Sequence, residues 1–169
     1  LAQLFSHGVI DKGGKITGDH PLVREGRNGR EVVLVHETED GGPTIAITQK
    51  DVRELQLAKA AIQTGIVILL KERGLDPKDL AEIVVAGAFG NYIDIASVIA
   101  IGLFPNLPLN RFKQVGNAAG VGAKIALVSK KRRKMIQELT RKIRYIELSG
   151  FPGFNDIYIK TMSLGSISI

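Results

Sequence analysis

Apolar positions along this chain change their period several times, and each change marks an element. Residues 30–36 (REVVLVH) form a short β-branched run, and residues 44–47 form a second one after the Gly-Gly-Pro turn at residues 41–43. Both runs predict strands. Residues 82–86 (EIVVA) and 112–115 are further short apolar runs of the kind that fills a buried strand, and residues 145–148 (YIEL) predict one more. The pattern then shifts to a helical period over residues 49–73. Thr48 stands there as an N-cap and Gly74 as a left-handed stop. Pro77 after Asp76 restarts a short turn. Helices are predicted near residues 94–101, up to residue 128, onward to about residue 142, and over residues 155–162. Residues 1–5 read as a helix already under way and residues 11–29 as loop. This alternation predicts a three-layer α/β lobe.

One position breaks the pattern of the long helix. Val52, Leu55, Lys59, Ile62, Ile66 and Leu69 are spaced 3, 4, 3, 4 and 3 apart, which puts a lysine on an apolar stripe. Either its stem packs while the ammonium snorkels to water, or the ammonium enters a cleft and meets an anion or a ribose. Gln56 lies one turn earlier, beside it.

Composition narrows the classes. The 169 residues suit one domain or one lobe of something larger, and 44% apolar with 24% charged residues excludes disorder. No apolar run is long enough for a helix to cross a bilayer. The chain has no cysteine, which removes thiolate metal sites, cysteine-ligated iron–sulfur clusters and cysteine nucleophiles from it. With no signal sequence at its start, a cytoplasmic setting is the expectation. The net charge of +6 is local: residues 130–144 hold eight basic side chains against Glu138, so the remaining chain carries −1. Such a stripe is a solvated helix face or a surface for an acidic partner. No aromatic interleaves it for stacking on bases, which counts against nucleic acid.

Candidate chemistry gathers at two strand–glycine–helix junctions. Gly87-x-x-Gly90-Asn91 and Gly116-Asn117-x2-Gly120-x-Gly122 each follow a predicted strand and precede a helix. A glycine turn lets backbone N–H groups approach a ligand, and ligands of open α/β sheets collect at the carboxyl ends of strands. Neither junction fits the dinucleotide or Walker A pattern. The plain alternative is that the glycines serve only tight turns and close packing. The three histidines have no metal-ligand spacing, so no metal site is expected, and no nucleophile motif is present. Asp94 reads as a helix cap.

The runs ITQKDVRELQLAKAAIQTGI (residues 47–66), AGAFGNYID (86–94) and VGNAAGVGA (115–123), followed by YIEL, occur in this order. Together they resemble the C-terminal part of the ATP-dependent reductive activators of corrinoid proteins, within the acetate and sugar kinase, heat-shock cognate and actin superfamily. The resemblance covers nearly the whole chain and is thin over residues 11–42 and after residue 164. It implies a ribonuclease-H-like, actin-like ATPase lobe with a mixed sheet flanked by helices, occupying residues 1–169 of a longer multidomain protein. It also implies coupling of ATP hydrolysis to reduction of cob(II)alamin to cob(I)alamin on a corrinoid protein partner. On this reading Gly87, Ala88, Gly90 and Asn91 belong to the adenosine motif, with Gln56 and Lys59 as positional candidates for ribose or adenine contacts. Gly116, Asn117, Gly120 and Gly122 belong to the connecting motif where helices of two lobes meet.

The phosphate loops that position Mg2+ and ATP are absent from the chain, so the resemblance assigns no catalytic residue here, and the lobe alone is expected to be inactive. A 2Fe–2S cluster would belong to a separate N-terminal ferredoxin-like domain. A homodimer is compatible with this reading. Two other readings stand beside it: a docking module that has lost its nucleotide, and nucleic-acid binding through the basic helix.

Overall fold

In a computed structural model, residues 1–37 and 41–166 are described, apart from the side chains of Ala88 and Phe89. The chain begins with α1 (Ala2–Ser6), followed by strands β1 (Val23–Gly26), β2 (Gly29–Val35) and β3 (Ile45–Thr48) and the long helix α2 (Gln49–Arg73). Next come β4 (Ile83–Ala86), α3 (Ile95–Ala100), β5 (Phe112–Gly116), α4 (Ala118–Val128), α5 (Lys130–Thr140) and α6 (Phe154–Thr161).

The α2 boundaries coincide with the capping signals. Thr48 accepts from Asp51 N while the Asp51 carboxylate accepts from Thr48 N at 2.9 Å, a reciprocal capping box, and donation to that carboxylate by the Thr48 hydroxyl and then by Thr48 N holds it below its ordinary range. Gly74 ends the helix at φ 62°, ψ 33°. Asp76 caps the short 3-10 turn Pro77–Asp79, and Asp94 caps α3 by accepting from Ser97 N, as expected.

Strands of both senses are present, in two sheets. β1, β2 and β3 are antiparallel neighbours, with Val32 opposite Ile47 and Val23, whereas β4 and β5 pair in parallel. β1 falls inside the predicted loop. Its Val-Arg-Glu-Gly sequence carries no apolar alternation, and ion pairs across the hairpin accompany the pairing: Arg24 Nε to Glu31 Oε1 at 2.8 Å and Arg30 Nε to Glu25 Oε1 at 3.2 Å. Residues 145–148, predicted as a strand, pair with no strand among the described residues. The exposed Tyr145 hydroxyl instead donates to the Glu147 carboxylate two residues on.

The core joins distant parts of the chain. Val9, Ile10, Ile16, Val32, Val52, Ile101 and Leu164 are buried together, with Leu4, Phe5, Val23 and Ile47 packed against them. The face of α2 that enters this interior is rotated from the predicted one. Val52, Gln56, Lys59, Ala60, Gln63, Val67 and Leu70 are buried, while Leu55, Ile62 and Leu69 are exposed. Leu55, Ile62 and Leu69 of the predicted stripe therefore face outward, and two glutamines enter the interior beside Val52 and Lys59. Among the described residues, α4 and α5 bury no side chain.

Candidate functional site

The parallel pairing of β4 and β5 brings the two glycine junctions together. Ala86 stands opposite Gly116 at the carboxyl end of the pair, and Gly87 N donates to Gly116 O at 2.7 Å. The chain leaves β4 through Gly87 at φ 114° into the 3-10 turn Ala88–Asn91, and it leaves β5 through Gly116 at φ 60° into α4. Both angles lie in the left-handed region that favours glycine. The backbone of Ala88 sits in this turn, and its side chain lies outside the described residues.

The glycines of the two junctions divide by what surrounds them. A Cβ on Gly90 would lie 3.1 Å from Val85 O, and one on Gly116 would lie 2.9 Å from Asn91 Nδ2. At Gly120 it would lie 2.8 Å from the Nδ2 of Asn117, whose Oδ1 caps α4 by accepting from Gly120 N at 2.9 Å. Close packing accounts for these three. Above Gly87 and Gly122 nothing lies within 4 Å. Left-handed φ explains Gly87, but Gly122 sits inside α4 with open space and no conformational requirement.

Gln114 is a residue that sequence reasoning missed. From β5 its Nε2 donates to Gly90 O and to Ile93 O, the latter at 2.9 Å, and staples the turn after β4 onto the neighbouring strand. Its signal in the sequence is a polar residue beside Lys113 in a short strand, which is also how an exposed strand face reads.

Gln56 and Lys59 are placed elsewhere. Lys59 does not snorkel: it is 1% exposed, and its Nζ donates to Thr161 O at 2.6 Å and to Ser163 O. Burial pushes its ammonium down to about 8. Gln56 Nε2 donates to Gly13 O at 3.0 Å and Met162 O at 3.1 Å. Gln49 completes the set, with Nε2 donating to Gly14 O at 2.6 Å and Oε1 accepting from Ile16 N at 2.9 Å. These side chains tie α2 to the loop around residues 13–16 and to the end of α6. Their side-chain nitrogens donate to backbone carbonyls in and around the interior, while Gln56 Oε1 is buried with no partner among the described residues.

The basic stripe is largely free of internal duties. Arg133 donates to Ala126 O and Leu127 O, and Arg144 pairs with Glu72 at 2.9 Å. Beside it Val121, Ile125, Leu127 and Val128 of α4 and Met135 and Leu139 of α5 are exposed. Among the described residues no group of three or more His, Asp or Glu side chains converges as a metal site would need, and no helix is long and apolar enough to cross a membrane.

Residues 1–168 match the family model described as the C-terminal domain of RACo, the ASKHA domain. The corrinoid activation enzyme RamQ of Eubacterium limosum is 41% identical over 98% of this chain and 30% of its own length. A Co(II) methylated amine-specific corrinoid protein reductase of Methanosarcina barkeri is 30% identical over 72% of this chain and 23% of its own length. Among solved structures, a reductive activator for corrinoid, iron-sulfur protein superposes with a TM-score of 0.87 at 36% identity, covering 98% of this chain and 27% of that one. The chain thus spans less than a third of the length of these relatives. It has the actin-like α/β fold of the superfamily and belongs to the family of RACo C-terminal ASKHA domains.

Proposed function

We propose that this chain is the C-terminal ATP-binding lobe of a reductive activator, a longer protein that uses ATP to drive reduction of cob(II)alamin to cob(I)alamin on a corrinoid protein. The observation that carries the reading is the paired junction. Two glycine turns leave adjacent parallel strands at their carboxyl ends, where open α/β sheets bind ligands. The open side of Gly87 leaves room for a ribose or base to lie against the backbone, and Gln114 fixes the turn that would receive it. Gly90 and Asn91 complete that cradle. Gln56 and Lys59 act one step removed, by holding residues 161–163 in place.

The chain supplies no cysteine, so a 2Fe–2S cluster would be held by another part of the protein. Bound ATP with Mg2+ would supply the free energy that makes an uphill reduction proceed, by changing which conformation activator and partner prefer. The apolar face of α4, with Gly122 open beside Val121 and Ile125, suits close approach by a helix of another lobe. The proposed role of Gly116, Asn117, Gly120 and Gly122 is to shape that contact.

Calorimetric titration of ATP into the intact protein tests the reading. Gly87→Val puts a branched side chain into the open cradle and is expected to weaken ATP binding at least tenfold. Unchanged affinity would favour the docking-module alternative, which the inward commitment of Lys59 makes the strongest competitor.

A further inference from the structure

The parallel pair has a second end. At the amino ends of β4 and β5, opposite the glycine turns, lies a cavity of about 320 Å³, within the range of small-molecule sites. Its walls come from α2, from Ser166, and from the segments that lead into the two strands: Pro77 and Lys78 ahead of β4, and Phe104 to Leu107 ahead of β5. Arg111 ties these walls together, with Nη1 donating to Lys78 O at 2.8 Å and Leu80 O at 2.9 Å. Phe104 is braced by stacking on Phe112, ring centroids 5.9 Å apart. The cavity is therefore preformed.

One lining residue is out of place for a purely structural role. Gln63 of α2 is 6% exposed, yet its buried Oε1 has no hydrogen-bond partner among the described residues. On the same helix face Gln56 Oε1 also lacks a partner, but its Nε2 donates to two carbonyls, a bond that Gln63 does not make among the described residues. A buried amide left unpaired costs stability, and an apolar residue of similar shape would avoid that cost. A group that presents a donor and an acceptor side by side is satisfied by another amide edge. Phe104, Pro77 and Leu107 offer flat apolar contact, and Asn106 adds a second amide. The charged lining residues, Asp76 and Lys78, are of opposite sign and select neither an anion nor a cation.

We propose that this cavity binds a small, uncharged, planar molecule bearing a carboxamide or ring-lactam edge, held through the side-chain amide of Gln63. The site is separate from the nucleotide cradle and does not depend on that reading.

The test is a titration of nicotinamide into the intact protein by ligand-observed NMR, with melting temperature measured in parallel. The wild type is expected to bind, benzoate to bind at least tenfold more weakly, and saturating ATP to leave nicotinamide binding unchanged. Gln63→Leu should lose at least tenfold in affinity while its melting temperature holds or rises, a combination that a merely structural glutamine would not give. Lys78→Gln should stay within twofold of wild type. The proposal is overturned if wild type fails to bind nicotinamide, if Gln63→Leu binds as tightly as wild type, if benzoate binds equally well, or if ATP competes. ATP failing to bind at all would sink the nucleotide reading and leave this one standing.

Discussion

The part of the molecule built on α2 and the part built on β4, β5, α4 and α5 close their surfaces in opposite ways. Around α2, residues from α1, β2, the loop after α1 and the end of α6 meet in one interior, and even the polar groups that enter it are mostly paired. Around β4 and β5 the strands pair, but Val84 is exposed, and neither α4 nor α5 buries a side chain. The difference separates two kinds of residue. In the first region, side chains hold distant segments of one chain together, so substitution there should cost stability. In the second, apolar surface and open glycines have no partner among the described residues, so substitution should cost binding and leave the fold intact.

The sharpest way to break the first region is at Gly102. It has φ 76°, and a Cβ there would run into the carbonyl of Gly165, whose own N–H donates to Ile101 O. Gly102→Ala combines a disfavoured backbone angle with a clash against main chain, and should cost about 4 kcal/mol in chemical denaturation.

Next comes Lys59→Ala, which takes the Lys59 partner from the buried carbonyl of Thr161 and the part-buried one of Ser163 and empties the space of the stem. It should cost about 3 kcal/mol, with the loss of protection in hydrogen exchange centred on residues 161–164. Lys59 also gives stability a pH dependence. Its folded value of about 8 lies below the ordinary 10.5, so between these values the unfolded chain binds more protons. The cost of burying the charge is fully present below pH 8 and is relieved as pH rises toward 10.5. Denaturation midpoints measured across that window should rise for wild type and lack this component in Lys59→Met.

Thr48→Ala removes one half of the capping box and should cost about 1 kcal/mol, read as a lower melting temperature. The smallest effect on stability belongs to the open region. Gly122→Ala should stabilise the lobe by about 0.5–1 kcal/mol, because helix propensity improves and nothing lies in its way. Gly122→Leu should likewise fold, yet lower ATP-dependent activity of the intact protein if a helix of another lobe approaches there.

How much could be read beforehand follows the same division. The capping signals Thr48, Gly74, Asp76 and Asp94 are local chemistry and placed their elements correctly. The glycine junctions were legible because a strand–turn–helix needs left-handed glycine whatever surrounds it. The buried face of α2 was not legible. Leu55, Ile62 and Leu69 are exposed while Gln56 and Lys59 go inside, where they meet carbonyls supplied from about a hundred residues away. Strand β1 was missed for a related reason: accompanied by ion pairs across its hairpin, it carries no apolar alternation.

Hydrogen–deuterium exchange of the intact protein with and without ATP tests most directly where the nucleotide sits. Protection on binding should concentrate in residues 86–91 and 114–122, with α2 and residues 161–166 unchanged. Protection confined to α2 and residues 161–166, with the glycine turns unaffected, would contradict the account.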